Sequence, residues 1–114
     1  MDNLSLLLFK QYAFGEKFTK FGKLDVIHKQ LACLEFIDHV IEELIEMRRE
    51  LPIRKHWSQK RTANPDWNKV KEELIDALHF FLTLFLILEM NSHDIVELYT
   101  NKNKKNIKRQ EEGY

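Results

Sequence analysis

The stretch EELIDALHFFLTLFLIL, residues 72–88, decides the fold of this chain. From Ala77 to Leu88 its apolar side chains lie at almost every angular position around a helix, so a single neighbouring element cannot cover them. The run is too short to span a bilayer, and His79 interrupts it. The stretch therefore predicts a helix that other helices bury on all sides, and we expect a second subunit to supply some of those helices.

The rest of the chain continues this helical pattern. It has 114 residues with only three glycines and two prolines, and its apolar residues recur at intervals of three and four. We expect Asn64 to cap the third helix, with Pro65 at its first position and Asp66 in its first turn. The expected fold class is all-α: a single domain, residues 1–114, that forms a bundle of about four helices per chain and is completed by oligomerisation. The helices are expected at residues 4–14, from 24 or 25 to 50, 64–90, and from 92 or 94 into the polar tail, with a connecting loop at 53–63.

Charge and cysteine content exclude several classes of protein. The chain carries 18 basic and 18 acidic side chains, so no overall field would attract nucleic acid or a membrane surface. The single cysteine, Cys33, excludes a disulfide framework and suits a reducing compartment. The first residues, MDNLSLLLF, lack the basic region of a signal peptide. We therefore expect a cytoplasmic protein with no nucleic-acid or membrane partner.

Two acid-rich pentads, EELIE at 42–46 and EELID at 72–76, are nearly identical. Helix geometry places Glu43 with Glu46, and Glu73 with Asp76, on one side of their helices. The first pair lies opposite an apolar arc, which favours a solvated position for these acids. The second pair is in line with the apolar residues that follow it, so these acids point towards the core. The apolar arc consists of Ile27, Leu34, Ile37, Ile41, Leu44 and Ile45.

Carboxylates directed at a core must be neutral, paired or bound to metal, because an isolated buried carboxylate costs too much free energy. Four converging carboxylates would suit a hard divalent cation such as Mg²⁺. Zinc fits poorly, since the sequence has no cluster of cysteine or histidine ligands. Asp76 and His79 resemble half of a carboxylate di-iron site, but the first pentad lacks the matching histidine. We interpret His79 as a hydrogen-bonded, partly buried side chain.

Basic and aromatic residues flank the acid-rich helices. Taken alone, each basic segment would be a solvated surface and Trp57 a packing residue. Together with the acids, they are the parts of a site for a nucleoside triphosphate, because cations bind phosphate oxygens and aromatic rings pack on a nucleoside. The loop carries Arg54, Lys55, Trp57, Lys60 and Arg61, and the tail carries Lys102, Lys104, Lys105, Lys108 and Arg109.

The order of these segments resembles the all-α nucleoside triphosphate pyrophosphohydrolases, which include the MazG-like proteins and the dimeric dUTPases. Their pattern E-E-x-x-E, followed by E-x-x-D, is matched by Glu42, Glu43, Glu46, Glu73 and Asp76. The ending KNKKNIKRQEEGY is similar to the dimeric dUTPase ending K-N-x-x-N-x-x-R-Q-x-x-G-Y, and KHWSQK is similar to the lysine and tryptophan loop of that group. The likeness covers residues 41–114.

The resemblance implies hydrolysis of (deoxy)nucleoside triphosphates, with pyrimidine deoxynucleotides as substrates, to a monophosphate and pyrophosphate, which clears unwanted nucleotides. It implies a homo-oligomer, a dimer or tetramer, and Mg²⁺ as cofactor with Mn²⁺ as a substitute. Glu46 would take the proton of the attacking water, and Gln11 or Gln30 would contact the base. The alternative class is a non-catalytic helical interaction module. The implied metal ligands are Glu43, Glu46, Glu73 and Asp76; the implied substrate-binding residues are Lys55, Trp57, Lys60, Lys102, Asn106, Arg109 and Tyr114.

Overall fold

The computed structural model describes residues 1–15 and 24–113, which contain four α-helices and two short 3₁₀ turns. No β-strand occurs in these two ranges, and the predicted all-α fold class is confirmed. The 3₁₀ turns, Pro52–Arg54 and Gln59–Thr62, lie in the connection between the second and third helices. The helices, numbered in chain order, are α1 (Asn3–Gly15), α2 (Val26–Arg49), α3 (Trp67–Ile87) and α4 (Ser92–Glu111).

The start of α3 differs from the prediction. Asp66, not Asn64, caps the helix: its carboxylate accepts a hydrogen bond from the Lys69 backbone N–H at 3.3 Å. The Asn64 side chain instead accepts from the Trp67 ring N–H at 3.2 Å. An aspartate at this position satisfies an unpaired backbone donor and also places a negative charge at the positive end of the helix dipole. Pro65 therefore lies outside the helix.

The end of α3 also comes earlier than predicted, at Ile87 and not at Met90. Glu89 has a left-handed backbone with a φ of 58°, which ends the helix there. Asn91 then caps α4, because its side chain accepts from the Asp94 N–H at 2.9 Å while the Asp94 carboxylate accepts from the Asn91 N–H at 3.1 Å. This capping box fixes the start of α4.

Helices α2 and α3 form an antiparallel pair. Lys29, near the start of α2, forms an ion pair with Glu89 just beyond the end of α3, with Nζ and Oε2 3.8 Å apart. At the opposite end, Lys69 forms an ion pair with Glu50 at 3.3 Å. Between these points the side chains of the two helices pack closely. One consequence is that the two acid pentads lie at the same level of the pair.

The other two helices join this pair through α1. Helix α1 packs on α3, and α4 packs only on α1 among the elements in residues 1–15 and 24–113. Asp2 accepts a hydrogen bond from the Ser92 hydroxyl at 3.0 Å, which links the starts of α1 and α4. Helix α4 is therefore attached to the rest of the chain mainly near its N-terminal end.

No helix in the described ranges combines the length and hydrophobicity that a membrane crossing requires.

The core of one chain is small. The accessible surface is 9256 Å², whereas a compact monomer of 13.8 kDa would expose roughly 6,600 Å². The radius of gyration is 17.8 Å, against about 13 Å expected for a compact domain of this length. In the described ranges the buried apolar side chains are Leu8, Val40, Val70, Ala77, Leu82 and Ile87.

The apolar arc of α2 is exposed, and this corrects the interpretation of the first pentad. All six residues of the arc are exposed, while Glu43, on the other side of the helix, faces α3 and is half-buried. The solvated position predicted for Glu43 is therefore wrong. The reason is that α3 packs on the side of α2 that carries Val40 and Glu43. On α3, the exposed residues Leu74, Phe81 and Leu88 recur every seven positions, so this helix too keeps one apolar side uncovered.

Candidate functional site

Three carboxylates from two helices meet between α2 and α3. Glu43 comes from α2, and Glu73 and Asp76 come from α3; one oxygen of each lies within 4.8 Å of the others. The antiparallel pairing brings them together, because the pentads lie at the same level. Glu46 lies beside them, close enough for its charge to act on both Glu43 and Glu73. The structure thus brings together the four acids that were predicted as metal ligands.

These acids are unusually placed for charged groups. Glu43 and Glu73 are half-buried, and the Oε2 atom of each is buried without a hydrogen-bond partner among the described residues. Burial raises the pKa of the Glu43 carboxyl, and the charges of Glu46 and Asp76 raise it further. The pKa of Glu73 is raised by the same three causes in the same order, partly offset by the positive charge of Lys69. Buried polar atoms without a partner are rare, so these two oxygens are candidate ligand atoms for a cation.

The cluster fits a hard divalent cation. Such ions bind carboxylate oxygens at about 2.0–2.6 Å, so two oxygens on opposite sides of one ion lie about 4–5 Å apart. The three carboxylate oxygens all lie within 4.8 Å of one another, which agrees with this spacing. A bound cation would also supply the partner that Glu43 Oε2 and Glu73 Oε2 lack. The donor set, which contains only oxygen, suits Mg²⁺ or a similar ion better than zinc.

A cavity of about 590 Å³ opens beside the acid cluster, between α1 and the α2–α3 pair. Glu43 and Asp76 form part of its wall, so the cavity and the cluster are one continuous site. The other wall residues are mostly apolar, with three polar side chains, Lys10, Gln11 and His79, among them. The apolar residues that line the cavity are Leu7, Phe14, Phe80 and Leu82.

Two residues of the cavity wall, Gln11 and His79, form a closed ring of hydrogen bonds with Thr83. The Gln11 Nε2 donates to Thr83 Oγ1 at 2.9 Å, and the Thr83 hydroxyl donates to the His79 backbone carbonyl at 3.1 Å. The Gln11 Oε1 lies 2.9 Å from His79 Nδ1. The predicted hydrogen bonding of His79 is confirmed, although the residue is exposed and not half-buried. Sequence reasoning missed Thr83, whose only signal was a hydroxyl within an apolar run, four positions after His79.

The predicted phosphate- and nucleoside-binding residues lie elsewhere in one chain. Within the described ranges, none of them lines the cavity or belongs to the acid cluster. Trp57 is 71% exposed. Within the described ranges, its ring makes one aromatic contact, a T-shaped contact with the ring of His56. Tyr114 lies outside the described residues. Their assignments stay predictions. The connection between α2 and α3 carries three of these residues, all exposed: Lys55, Trp57 and Lys60. Helix α4 carries three more, also exposed: Lys102, Asn106 and Arg109.

Comparison with known proteins identifies the family. The sequence model of a protein family described as dUTPase matches residues 3–93 and 81–114. The chain belongs to this family. The match includes all of α1 and α2. The motif resemblance, which covered residues 41–114, had left out α1 and the part of α2 before residue 41. Gln11 and both acid pentads therefore lie within the matched residues.

Two curated relatives carry a more specific description. The chain is 47% identical over 49 residues to a dCTP pyrophosphatase of Enterobacteria phage T4, a match that covers 43% of this chain and 29% of that protein. It is 36% identical over 69 residues to a dCTP pyrophosphatase of Enterobacteria phage LZ5, covering 55% of this chain and 40% of that protein. The match thus spans less than half the length of either relative. No solved structure matches the chain significantly.

Proposed function

We propose that this chain is a metal-dependent pyrophosphohydrolase that converts pyrimidine deoxynucleoside triphosphates to monophosphates and pyrophosphate. The observation that carries the proposal is the acid cluster, with two buried carboxylate oxygens that have no partner, opening directly into a cavity that holds a buried amide. The dUTPase family and the two dCTP pyrophosphatases support pyrimidine substrates. A non-catalytic interaction module would have no use for like charges held together beside a cavity.

The proposed cofactor is Mg²⁺, with Mn²⁺ able to replace it, held by Glu43, Glu46, Glu73 and Asp76. When bound, such an ion lowers the pKa of a water molecule and neutralises charge on the triphosphate. The di-iron alternative is less well supported, because the three-residue acid cluster formed by the described residues includes no histidine. The His79 Nδ1 atom is also engaged with Gln11 Oε1, 2.9 Å away.

The four acids divide into two groups by exposure, which suggests different roles. Glu43 and Glu73 are half-buried and suit a fixed ligand position, whereas Glu46 and Asp76 are exposed. We assign Glu46 as the base that accepts a proton from the attacking water. The water oxygen forms a bond to the α-phosphorus, the bond from this phosphorus to the oxygen that bridges to the β-phosphorus breaks, and pyrophosphate leaves with that oxygen. The water's proton moves to the Glu46 carboxylate.

The cavity is the proposed site for the base, with Gln11 as its polar contact. Gln11 lines the same cavity as Glu43 and Asp76, while Gln30 lines a separate apolar recess beside Val26 and Cys33. Of the two glutamines that the sequence left open, the position of Gln11 therefore suits the role and that of Gln30 does not. An amide both donates and accepts hydrogen bonds, as the polar edge of a pyrimidine does.

We further propose that residues 1–114 form one domain that assembles as a homo-oligomer, a dimer or tetramer. One chain exposes roughly 2,600 Å² more surface than a compact monomer of its mass, and obligate interfaces bury areas of this order. The apolar arc of α2 and the seven-residue spacing on α3 suit packing against the same helices of a second copy. Assembly would also allow a partner's basic segments to reach the acid cluster. The proposed phosphate and nucleoside contacts are Lys55, Trp57, Lys60, Lys102, Asn106, Arg109 and Tyr114.

The proposal is tested by measuring pyrophosphate release from a panel of canonical and modified nucleoside triphosphates, with and without Mg²⁺. We expect release from dUTP or dCTP that requires the metal. Glu73→Gln serves as the matched control, because it keeps the shape of the side chain and removes the charge. Absence of metal-dependent release from every pyrimidine substrate, with Mg²⁺ and with Mn²⁺, would contradict the proposed activity.

A further inference from the structure

We propose that His79 and Thr83 are positioning residues that hold the Gln11 amide in one orientation, and that this orientation determines whether the site prefers a uracil or a cytosine nucleotide. The inference rests on the proposed function, since it concerns the specificity of the same cavity. The observation behind it is the closed hydrogen-bond ring that links Gln11 to both residues.

The ring assigns a direction to each of its hydrogen bonds. A threonine hydroxyl has one proton, and the Thr83 proton points at the His79 carbonyl oxygen, 3.1 Å away. The Thr83 oxygen can therefore only accept, so the group of Gln11 that lies 2.9 Å from it must be the NH₂ group. The amide oxygen then faces His79 Nδ1 at 2.9 Å, and that nitrogen must carry a proton. Each bond in the ring thus supports the orientation of the next.

The ring leaves part of the amide unused. Gln11 is only 8% exposed, yet it is among the residues that line the cavity beside Glu43 and Asp76. Its NH₂ group has a second proton and its oxygen has a second lone pair, neither of which the ring occupies. A base in the cavity would meet these two sites at fixed positions, because turning the amide over would break the bonds to His79 and Thr83.

Uracil and cytosine present opposite patterns at neighbouring ring positions. Uracil has an acceptor at position 4 and a donor at position 3, while cytosine has a donor at position 4 and an acceptor at position 3. If the base is held in one place, an amide in one orientation can form both hydrogen bonds with only one of the two pyrimidines. To match the other pyrimidine, the amide must be turned over. A fixed Gln11 would therefore discriminate between the two bases, and a Gln11 free to turn would accept both.

Two substitutions of Thr83 separate this role from packing. Thr83→Val keeps the shape of the side chain but removes the hydroxyl, so Gln11 loses its fixed orientation; Thr83→Ser keeps the hydroxyl and loses a methyl group. The measurement is the ratio of kcat/KM for dUTP and dCTP, with the full chain and Mg²⁺. We expect the wild type to prefer one substrate by at least about tenfold, and Thr83→Val to bring the ratio about tenfold closer to one, as expected for one lost hydrogen bond. Thr83→Ser should retain the preference to within about twofold.

A second measurement tests the ring without turnover. Nitrogen NMR of the imidazole distinguishes its two neutral forms, and we expect His79 to carry its proton on Nδ1 in the wild type and in Thr83→Ser. A proton on Nε2 in the wild type would reverse the assigned amide orientation and overturn the inference. So would a Thr83→Val variant that slows both substrates by the same factor. A wild type that hydrolyses neither dUTP nor dCTP would overturn the specificity role, and the proposed function falls as well if every other pyrimidine nucleotide is also left intact.

Discussion

Leu34 lies near the middle of the apolar arc of α2, and its replacement by glutamate tests whether this arc is an interface between subunits. Its side chain is 58% exposed in one chain, so a charge there can remain in water while the chain is alone. If a second subunit covers the arc, the same charge must be buried against apolar side chains. The substitution should therefore weaken assembly much more than it disturbs the fold of one chain.

The size of the effect follows from the exposed fraction. Full burial of a leucine contributes about 1.5–3 kcal/mol, and 58% of the Leu34 side chain remains to be covered. Covering it would thus contribute about 0.9–1.7 kcal/mol per chain, and about 1.7–3.5 kcal/mol in a symmetric dimer. Loss of this term alone weakens the dimer by about 20- to 300-fold, since 1.4 kcal/mol corresponds to a factor of ten. The cost of burying the glutamate charge adds to it.

Sedimentation velocity or light scattering over a dilution series measures this change. We expect the wild type to remain at twice the chain mass of 13.8 kDa or more at low micromolar concentration, and Leu34→Glu to dissociate there. Ile53→Glu is the control, because Ile53 is 72% exposed but lies in a 3₁₀ turn outside the arc. A wild type that is monomeric and active at low micromolar concentration would refute the reasoning, as would a Leu34→Glu variant that stays assembled.

Three further predictions concern the site. Glu43→Gln and Glu73→Gln should each raise the melting temperature of the metal-free protein, and Mg²⁺ should no longer raise it further in a thermal shift assay. Pyrophosphate release should fall by at least about 10- to 100-fold in each variant. Wild-type rates in both variants would contradict the metal assignment. The pKa values of these two glutamates are raised in the folded state above the usual 4.5. Above about pH 4.5 the folded chain therefore keeps protons that the unfolded chain has lost. The metal-free protein should lose stability as the pH rises from about 4.5 through the raised pKa values. Urea unfolding at pH 5 and 7 checks this sign, since the difference between the two pH values should shrink when both residues are glutamine. Deletion of the chain from Asn101 onward should raise KM sharply or abolish turnover while circular dichroism shows that the remaining helices persist; unchanged kinetics would show that the tail does not bind substrate.

Most of the helices could be predicted because they depend on local signals. Apolar residues at intervals of three and four indicated four helices, and the predicted end of α1 and start of α4 agree closely with the structure. The boundaries of α3 were less predictable. Both Asn64 and Asp66 are good capping residues, and the choice between them depends on where the Trp67 ring finds its hydrogen-bond partner.

The neighbours of each helix face could not be predicted from periodicity. Glu43 and Glu46 were correctly placed on the side of α2 opposite the apolar arc, but this does not say which side α3 covers. An apolar side buried within one chain and one buried between two chains give the same pattern. The link between Gln11 and Thr83 joins residues 72 positions apart, so it depends on how α1 packs against α3 and leaves no local signal.

The attachment of α4 at one end has a consequence for hydrogen exchange. Beyond its capping box, α4 is held as a helix by local pairs such as His93 with Glu97 and Lys108 with Glu112, both largely exposed. Such pairs contribute only a few tenths of a kcal/mol each, so the amides in the second half of α4 should open and exchange far faster than those of α2 and α3. If these residues reach a partner's acid cluster, their protection should grow with protein concentration and again with bound nucleotide. Amide exchange in this one helix would then report assembly and substrate binding separately.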